Sequence, residues 1–230
     1  MHRSAFSLAL LAAATTTASR LAAAEPNALT ADEKRAGFVL LFDGRTTAGW
    51  TEVTGKPVPD SWTVDDGCLK PLAQPSMQDI RTVGVYRNFE LRWEWKLAPG
   101  GNSGVKYLVQ KTDEWNNKNG RQARARGPEY QLLDDASGIE TLPEKKNGSL
   151  YGVRAPVKQV SRPIGEFNES RIIVDGRKAQ HWLNGQLIVE YSLDDADVRK
   201  VAGSVEGETY VSLQNHGGKV WFRSVKIRKW

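Results

Sequence analysis

The stretch FELRWEWKLAPGGNSGVKYLVQ (residues 89–110), followed after a basic segment by GPEYQLLDD (127–135), decides the fold. Leu91, Trp93, Trp95 and Leu97 alternate with Glu90, Arg92, Glu94 and Lys96. Successive side chains of a β-strand point to opposite faces, so 90–97 reads as a strand with one face on a core. A glycine-rich corner then turns the chain into a second strand, 104–110, with Val105, Tyr107 and Val109 inward and Lys106 outward. In 129–133, Tyr130 and Leu132 share one face, while Glu129, Gln131 and Leu133 share the other. A Glu and a Gln two apart, beside a Lys and the Asn102-Ser103 pair, make a polar floor suited to a small hydroxyl-rich ligand.

Outward from this stretch the same grammar continues. Thr30 and Glu33 have the spacing of a capping box and predict one short helix ending before Gly37. Asp66-Gly67, Asp175-Gly176 and Asn184-Gly185 are tight-turn signals. Further strands are expected over 38–42, 150–153, 171–175, 180–183, 187–191, 210–214 and 220–228, with long polar loops at 111–127, 136–148 and 154–168. About a dozen short strands with regular turns predict an all-β jelly-roll sandwich of two antiparallel sheets, with one short N-terminal helix. At roughly 150 residues per domain, with sandwiches running longer, 230 residues predict one domain. The expected organisation is a signal peptide at 1–24, a leader with the short helix at 25–36, and the jelly roll at 37–230.

Composition narrows the classes. Arg3, the apolar run from Phe6 to Ala14 and the small residues Ala22-Ala23-Ala24 read as a secretory signal, too short for a stable anchor. A periplasmic or secreted protein without a membrane span is the expectation. Loss of 1–24 would leave 30 basic against 27 acidic residues, a formal +3. The basic residues are scattered, which argues against nucleic acid. Cys68 is the only cysteine, which excludes an intrachain disulfide and paired-cysteine metal sites. No feature specifies an oligomeric state.

The outward-facing Glu, Gln, Lys, Tyr and His have two readings. A solvated outer face is common on antiparallel sheets. Flanking glycines and the run of amides instead suit close approach of a ligand, with His216 at a strand end over the groove. Trp115 and Trp182 are the candidate stacking platforms, whereas Trp50, Trp62, Trp93 and Trp95 read as core. His181 reads as a packing residue, and Asn184-Gly185 as a turn. Asp134-Asp135 offers a carboxylate pair for a divalent cation, a poor signal without D-x-D-x-D spacing. No metal ligand set and no organic cofactor are expected.

The blocks LFDGRTTAGW, WTVDDGCL, FELRWEWKLAPGGNSGVKY, GPEYQLLDD, GSLYGV, HWLNGQLIVEY and VSLQNHGGKVWFRSVKI run in order from about residue 37 to Trp230. Together they resemble the 3-keto-disaccharide hydrolase family. The resemblance implies a concanavalin-like jelly roll and action on glycosides or disaccharides whose C3 hydroxyl has been oxidised to a ketone. Such a ketone acidifies the C2 proton. A base removes it, the C1 substituent leaves by β-elimination, and water adds to give the 3-keto sugar. The chemistry needs a base, an acid and a donor for the C3 oxyanion.

The resemblance supplies the motif positions, and the chemistry suggests their roles: Glu129 and His216 are the candidate base and acid, in an order left open, and Lys106 is expected to stabilise the enolate or polarise the ketone. Asn102, Ser103, Gln131, Tyr151 and Gln214 are expected to bind hydroxyls. A non-catalytic carbohydrate-binding module of the same fold is the alternative.

Overall fold

The computed structural model describes residues 25–74, 76–117, 120–203 and 205–230, without the side chains of 115–121. The expected signal peptide at 1–24 lies outside the described residues. In chain order the strands are β1 (Val39–Leu40), β2 (Trp50–Glu52), β3 (Trp62–Asp65), β4 (Cys68–Pro71), β5 (Ile80–Thr82), β6 (Phe89–Leu97), β7 (Asn102–Val109) and β8 (Lys111–Asn117). They continue with β9 (Gly120–Arg126), β10 (Glu129–Leu133), β11 (Asn168–Asp175), β12 (Lys178–Leu183), β13 (Gln186–Ser192), β14 (Tyr210–Leu213) and β15 (Val220–Lys229). Two antiparallel sheets stack face to face as a concanavalin-like jelly roll. One is eight-stranded, β13-β12-β11-β6-β15-β4-β3 with β1 on β15; the other is five-stranded, β10-β7-β14-β5-β2.

The alternation in β6 sends Leu91, Trp93, Trp95 and Leu97 between the sheets, where all four are buried. Trp93 meets Tyr130 of the facing sheet edge-on, with centroids 5.1 Å apart. Trp95 Nε1 donates to Ser170 Oγ (2.8 Å), which donates to the Tyr130 hydroxyl (2.9 Å). Each large aromatic removes roughly 150–250 Å² from water, about 4–6 kcal/mol at ~25 cal/mol/Å². In a chain with a single, buried cysteine, this layer takes the place of disulfides.

His181 lies in the same core. Its Nδ1 donates to the Gly148 carbonyl (3.0 Å) and its Nε2 accepts from the Tyr107 hydroxyl (2.7 Å), which Tyr191 in turn approaches. The carbonyl can only accept, which fixes the imidazole as the Nδ1–H tautomer. Burial lowers its pKa to about 4, so the ring is neutral at pH 7.

The predicted turns form at Asp66-Gly67 and Asn184-Gly185, where both residues of each pair have positive φ, as a type I′ turn requires. The capping box forms too: Thr30 Oγ1 accepts from Glu33 N and the Glu33 carboxylate accepts from Thr30 N, opening helix α1 (Ala31–Arg35).

Four expectations need correction. Residues 111–126 are not a loop: β8 and β9 pair over their whole length as a hairpin. Residues 150–153 are a turn held to β10 by a single bridge, Tyr130 with Leu150. A second helix, α2 (Ala196–Ala202), follows Asp195, with Val198 buried. Its signals were in the sequence: acids before and in the first turn, Arg199 and Lys200 in the last, then Gly203.

The fourth correction concerns Val109. Opposite Tyr210 and Ser212 of β14, strand β7 contributes one residue too many, Val109 and Lys106 being the partners. Leu108 takes up the excess at φ 53. The bulge inverts the alternation. Leu108 enters the main core, and Val109 joins Val53 and Ala125 in a small apolar cluster outside the sheet. Among the described residues no helix is long and apolar enough to cross a membrane.

Candidate active site

The outer face of the five-stranded sheet carries a lateral row of polar side chains. Register pairs Glu129 with Lys106, Lys106 with Ser212, Ser212 with Arg81, and Arg81 with Thr51. Directly paired residues of antiparallel strands project to the same side. One step along the strands, Gln131 pairs with Gly104, and Gln214 N donates to the Gly104 carbonyl (2.9 Å).

Gly104 is what lets this face work. A Cβ there would overlap the carboxylate of Glu129, so the carboxyl group lies across the bare backbone of β7. Lys106 Nζ is 3.7 Å from Glu129 Oε2 and donates to the Ala125 carbonyl (3.0 Å). The two side chains are 12% and 13% exposed, so water screens them poorly but still reaches them.

The β8–β9 hairpin folds over this row. Arg124 of β9 pairs with the fully buried Asp79, and its Nη1 also donates to the Asn215 carbonyl (3.0 Å). Asn215 N donates to Asp79 Oδ1 (3.0 Å). Asn215 therefore ties the hairpin to the loop that presents His216. Asp79 and Arg124 were not read from the sequence as site residues. They are 45 positions apart, and only the Ala123-Arg124-Ala125 alternation hinted that the segment was a strand.

Glu129 and His216 both feel the charges of Lys106, Arg124 and Asp79. Burial pushes the Glu129 carboxyl above its ordinary pKa, against the pull of the Lys106 ammonium. His216 is exposed at the rim, yet desolvation by the protein around it, and then the positive charges of Arg124 and Lys106, hold its imidazole below the usual value. The two shifts run in opposite directions, the carboxyl towards keeping its proton and the imidazole towards losing it.

The remaining expected residues divide. Gln131 is buried; its carboxamide donates to Glu129 Oε1 (3.2 Å) and to the Ser103 carbonyl (3.1 Å), and its other end meets Asn102 at 3.2 Å. It positions Glu129 rather than offering itself to a ligand. Gln214 and Asn102 line the same face. Tyr151 sits at the rim, its N–H donating to the Glu129 carbonyl (3.0 Å) while its exposed ring faces Lys145.

Ser103 is a correction: it points into the sandwich, fully buried, its hydroxyl donating to the Gln214 carbonyl (2.7 Å). The inward set Val105 and Tyr107 already implied this parity. Trp182 is a second correction. It lies on the other sheet, under the Arg171 guanidinium at 4.1 Å, with Nε1 donating to Gln180 Oε1 (3.1 Å). Trp115 stands in β8 opposite Gln122, and its side chain lies outside the described residues.

The acidic pair does not converge on a cation either. Asp134 accepts from Gly100 N (2.8 Å) and Ala136 N (3.2 Å), while Asp135 accepts from Asn147 N (3.0 Å). Among the described residues no three His, Cys, Asp or Glu side chains are grouped to hold a metal ion.

A jelly roll whose sheet face carries a carboxyl–ammonium pair under a hairpin, with an imidazole on the adjoining loop, has the build of a carbohydrate-active hydrolase. Comparison with known proteins narrows the class. A crystal structure from Parabacteroides distasonis, provisionally assigned as a glycosyl hydrolase, superposes with a TM-score of 0.74 at 31% identity, over 90% of this chain and 100% of that one. A second from the same organism, assigned likewise, gives 0.60 at 26% identity, over 79% and 99%. A 3-keto-disaccharide hydrolase of Bacteroides thetaiotaomicron is 30% identical over 243 residues, 90% of this chain and 83% of that protein. The chain belongs to the 3-keto-alpha-glucoside-1,2-lyase-like family, whose sequence profile matches residues 37–228.

Proposed function

We propose that this protein is an exported enzyme that cleaves 3-keto glycosides, including 3-keto disaccharides, by C2 deprotonation, β-elimination and hydration. The observation that carries the reading is the poorly screened Lys106–Glu129 pair on the outer sheet face, with His216 on the loop that Asn215 ties to the covering hairpin. The named activity of the Bacteroides relative points the same way.

The steps balance as follows. His216, neutral at pH 7, takes the proton from C2, and the electron pair moves onto the C3 oxygen. Lys106 meets that oxyanion with an ammonium N–H; its partners among the described residues are the Ala125 carbonyl and Glu129. A donor fixed where charge develops, in a site that partly excludes water, is worth far more than the same donor in solution. Collapse of the enolate expels the C1 oxygen, which takes a proton from Glu129, whose carboxyl pKa is raised by burial. Water then adds at C1, giving its proton to the Glu129 carboxylate, while the His216 imidazolium gives a proton to C2, which restores both groups and leaves the 3-keto sugar and the free alcohol. Gln131 and Gly104 hold the Glu129 carboxyl in place.

A purely sugar-binding role fits less well. A lectin groove would present stacking rings and amides, whereas this face concentrates ionisable groups, and Trp182 is on the other sheet. The test is to incubate the protein with a 3-keto aryl glucoside and with its unoxidised counterpart. Aglycone release from the keto compound alone supports the reading. Tight binding of both without release supports the lectin, and equal release overturns the role of the ketone.

A further inference from the structure

A cavity of about 200 Å³ opens at the end of the sandwich. It is separate from the Lys106–Glu129 row: about 13 Å of strand lie between Glu129 and Leu133, which lines the cavity. Its floor is apolar, made by Trp95, Leu97 and Leu133. Its rim is polar, carrying Asp135, Asn147 and Arg162.

Asn147 is the informative residue. It is 1% exposed, its Nδ2 donates to Ser161 Oγ (2.6 Å), and its Oδ1 has no hydrogen-bond partner among the described residues. Leaving a buried amide oxygen without a donor is costly, so the site calls for something that supplies one. Arg162 spends one guanidinium N–H on the Phe167 carbonyl (2.9 Å). At ~30 Å³ per water the cavity has room for about six or seven waters, far more than one bridging water needs.

We propose that this cavity binds one neutral sugar ring, as an accessory saccharide site at the far end of β10. The apolar floor suits the C–H face of a pyranose. Asn147 Oδ1 and the Asp135 carboxylate accept from its hydroxyls, and Arg162 donates to a hydroxyl or ring oxygen. A divalent cation fits worse: Asp134 accepts from Gly100 N and Ala136 N, Asp135 accepts from Asn147 N, and among the described residues no three His, Cys, Asp or Glu side chains are grouped to hold one. The site goes beyond the proposed catalysis and stands or falls separately from it.

The test uses methyl α-glucoside, which lacks the ketone and is not turned over on the reading above. Its binding is followed by titration calorimetry and by amide shifts in NMR spectra. Wild-type protein and Lys106→Ala are expected to bind it equally, with shifts at 135, 147 and 162. Ile164→Trp fills the mouth from a position that is already 39% exposed, leaving the buried hydrogen bonds intact, and is expected to weaken binding at least tenfold. Asn147→Leu is expected to do the same where it folds.

Three results would overturn the site. They are no binding to wild type, binding that survives Ile164→Trp, or binding lost in Lys106→Ala. Turnover of a 3-keto aryl glucoside by the Ile164→Trp variant, measured in parallel, keeps failure of this site distinct from failure of the catalytic reading.

Discussion

The Lys106 ammonium and the Glu129 carboxyl group face each other at 3.7 Å from directly paired positions on β7 and β10. The pairing is a consequence of register, so the two groups are set by the sheet rather than by a loop. Their positions are as rigid as the ladder between the strands, which is what catalysis by preorganised charge requires.

Removing the ammonium removes the proposed oxyanion donor. Lys106→Met is expected to lower kcat on a 3-keto glycoside by roughly 10²–10³-fold with little change in KM, the usual loss for one such donor. Steady-state kinetics check this. A variant that raised KM and left kcat intact would make Lys106 a binding residue only.

The acid and base roles separate in the pH profile. His216 must be neutral to act, so the rate falls as pH drops through its pKa, which lies below the ordinary 6.5. Glu129 must be protonated, so the rate falls as pH rises through its pKa, which lies above the ordinary 4.5. His216→Ala should abolish the acidic limb and Glu129→Gln the alkaline limb, each at a cost of about 10²–10⁴-fold. Exchanged limbs would exchange the roles.

Gly104→Ala places a methyl group where the Glu129 carboxyl lies. The expected outcome is a folded protein, by circular dichroism, with at least a tenfold loss of activity. Unchanged activity would show that the carboxyl group does not need its place over β7.

Stability should depend on pH through His181. In the native state its pKa is lowered to about 4; in the unfolded chain it returns to about 6.5. The unfolded state therefore binds the extra proton first, and the stabilising contribution is complete above pH 6.5. It is lost as pH falls from 6.5 to 4, on the order of 3 kcal/mol in all. Urea denaturation at pH 7.5 and 4.5 should show the loss, and a folded His181→Gln variant should flatten it.

Much of the fold was legible because it rests on local patterns. The period-two burial of β6 and the Asp-Gly and Asn-Gly turns are written within a few residues of one another. The β8–β9 hairpin was not legible, because one of its faces is covered mainly through Arg124 and small alanines rather than large apolar residues. The bulge at Leu108 was hidden for a different reason: an extra residue in one strand shows only against its partner.

The same division runs through the site. Glu129, Gln131 and Lys106 could be placed on one face by alternation. Asp79 and Arg124 meet only through tertiary folding. Trp182 was misplaced because alternation assigns a face within a strand but not which sheet the strand joins.

The most direct test of the chemistry is isotopic. A 3-keto aryl glucoside is cleaved in D₂O by the wild-type protein, over times short enough that an enzyme-free control shows negligible exchange, and the released sugar is analysed by NMR. The elimination and hydration sequence predicts deuterium at C2 of the product in step with aglycone release. Full release with protium retained at C2, and with no primary isotope effect when C2 of the substrate is deuterated, would mean that the C1–O bond breaks without C2 deprotonation, and would contradict the account.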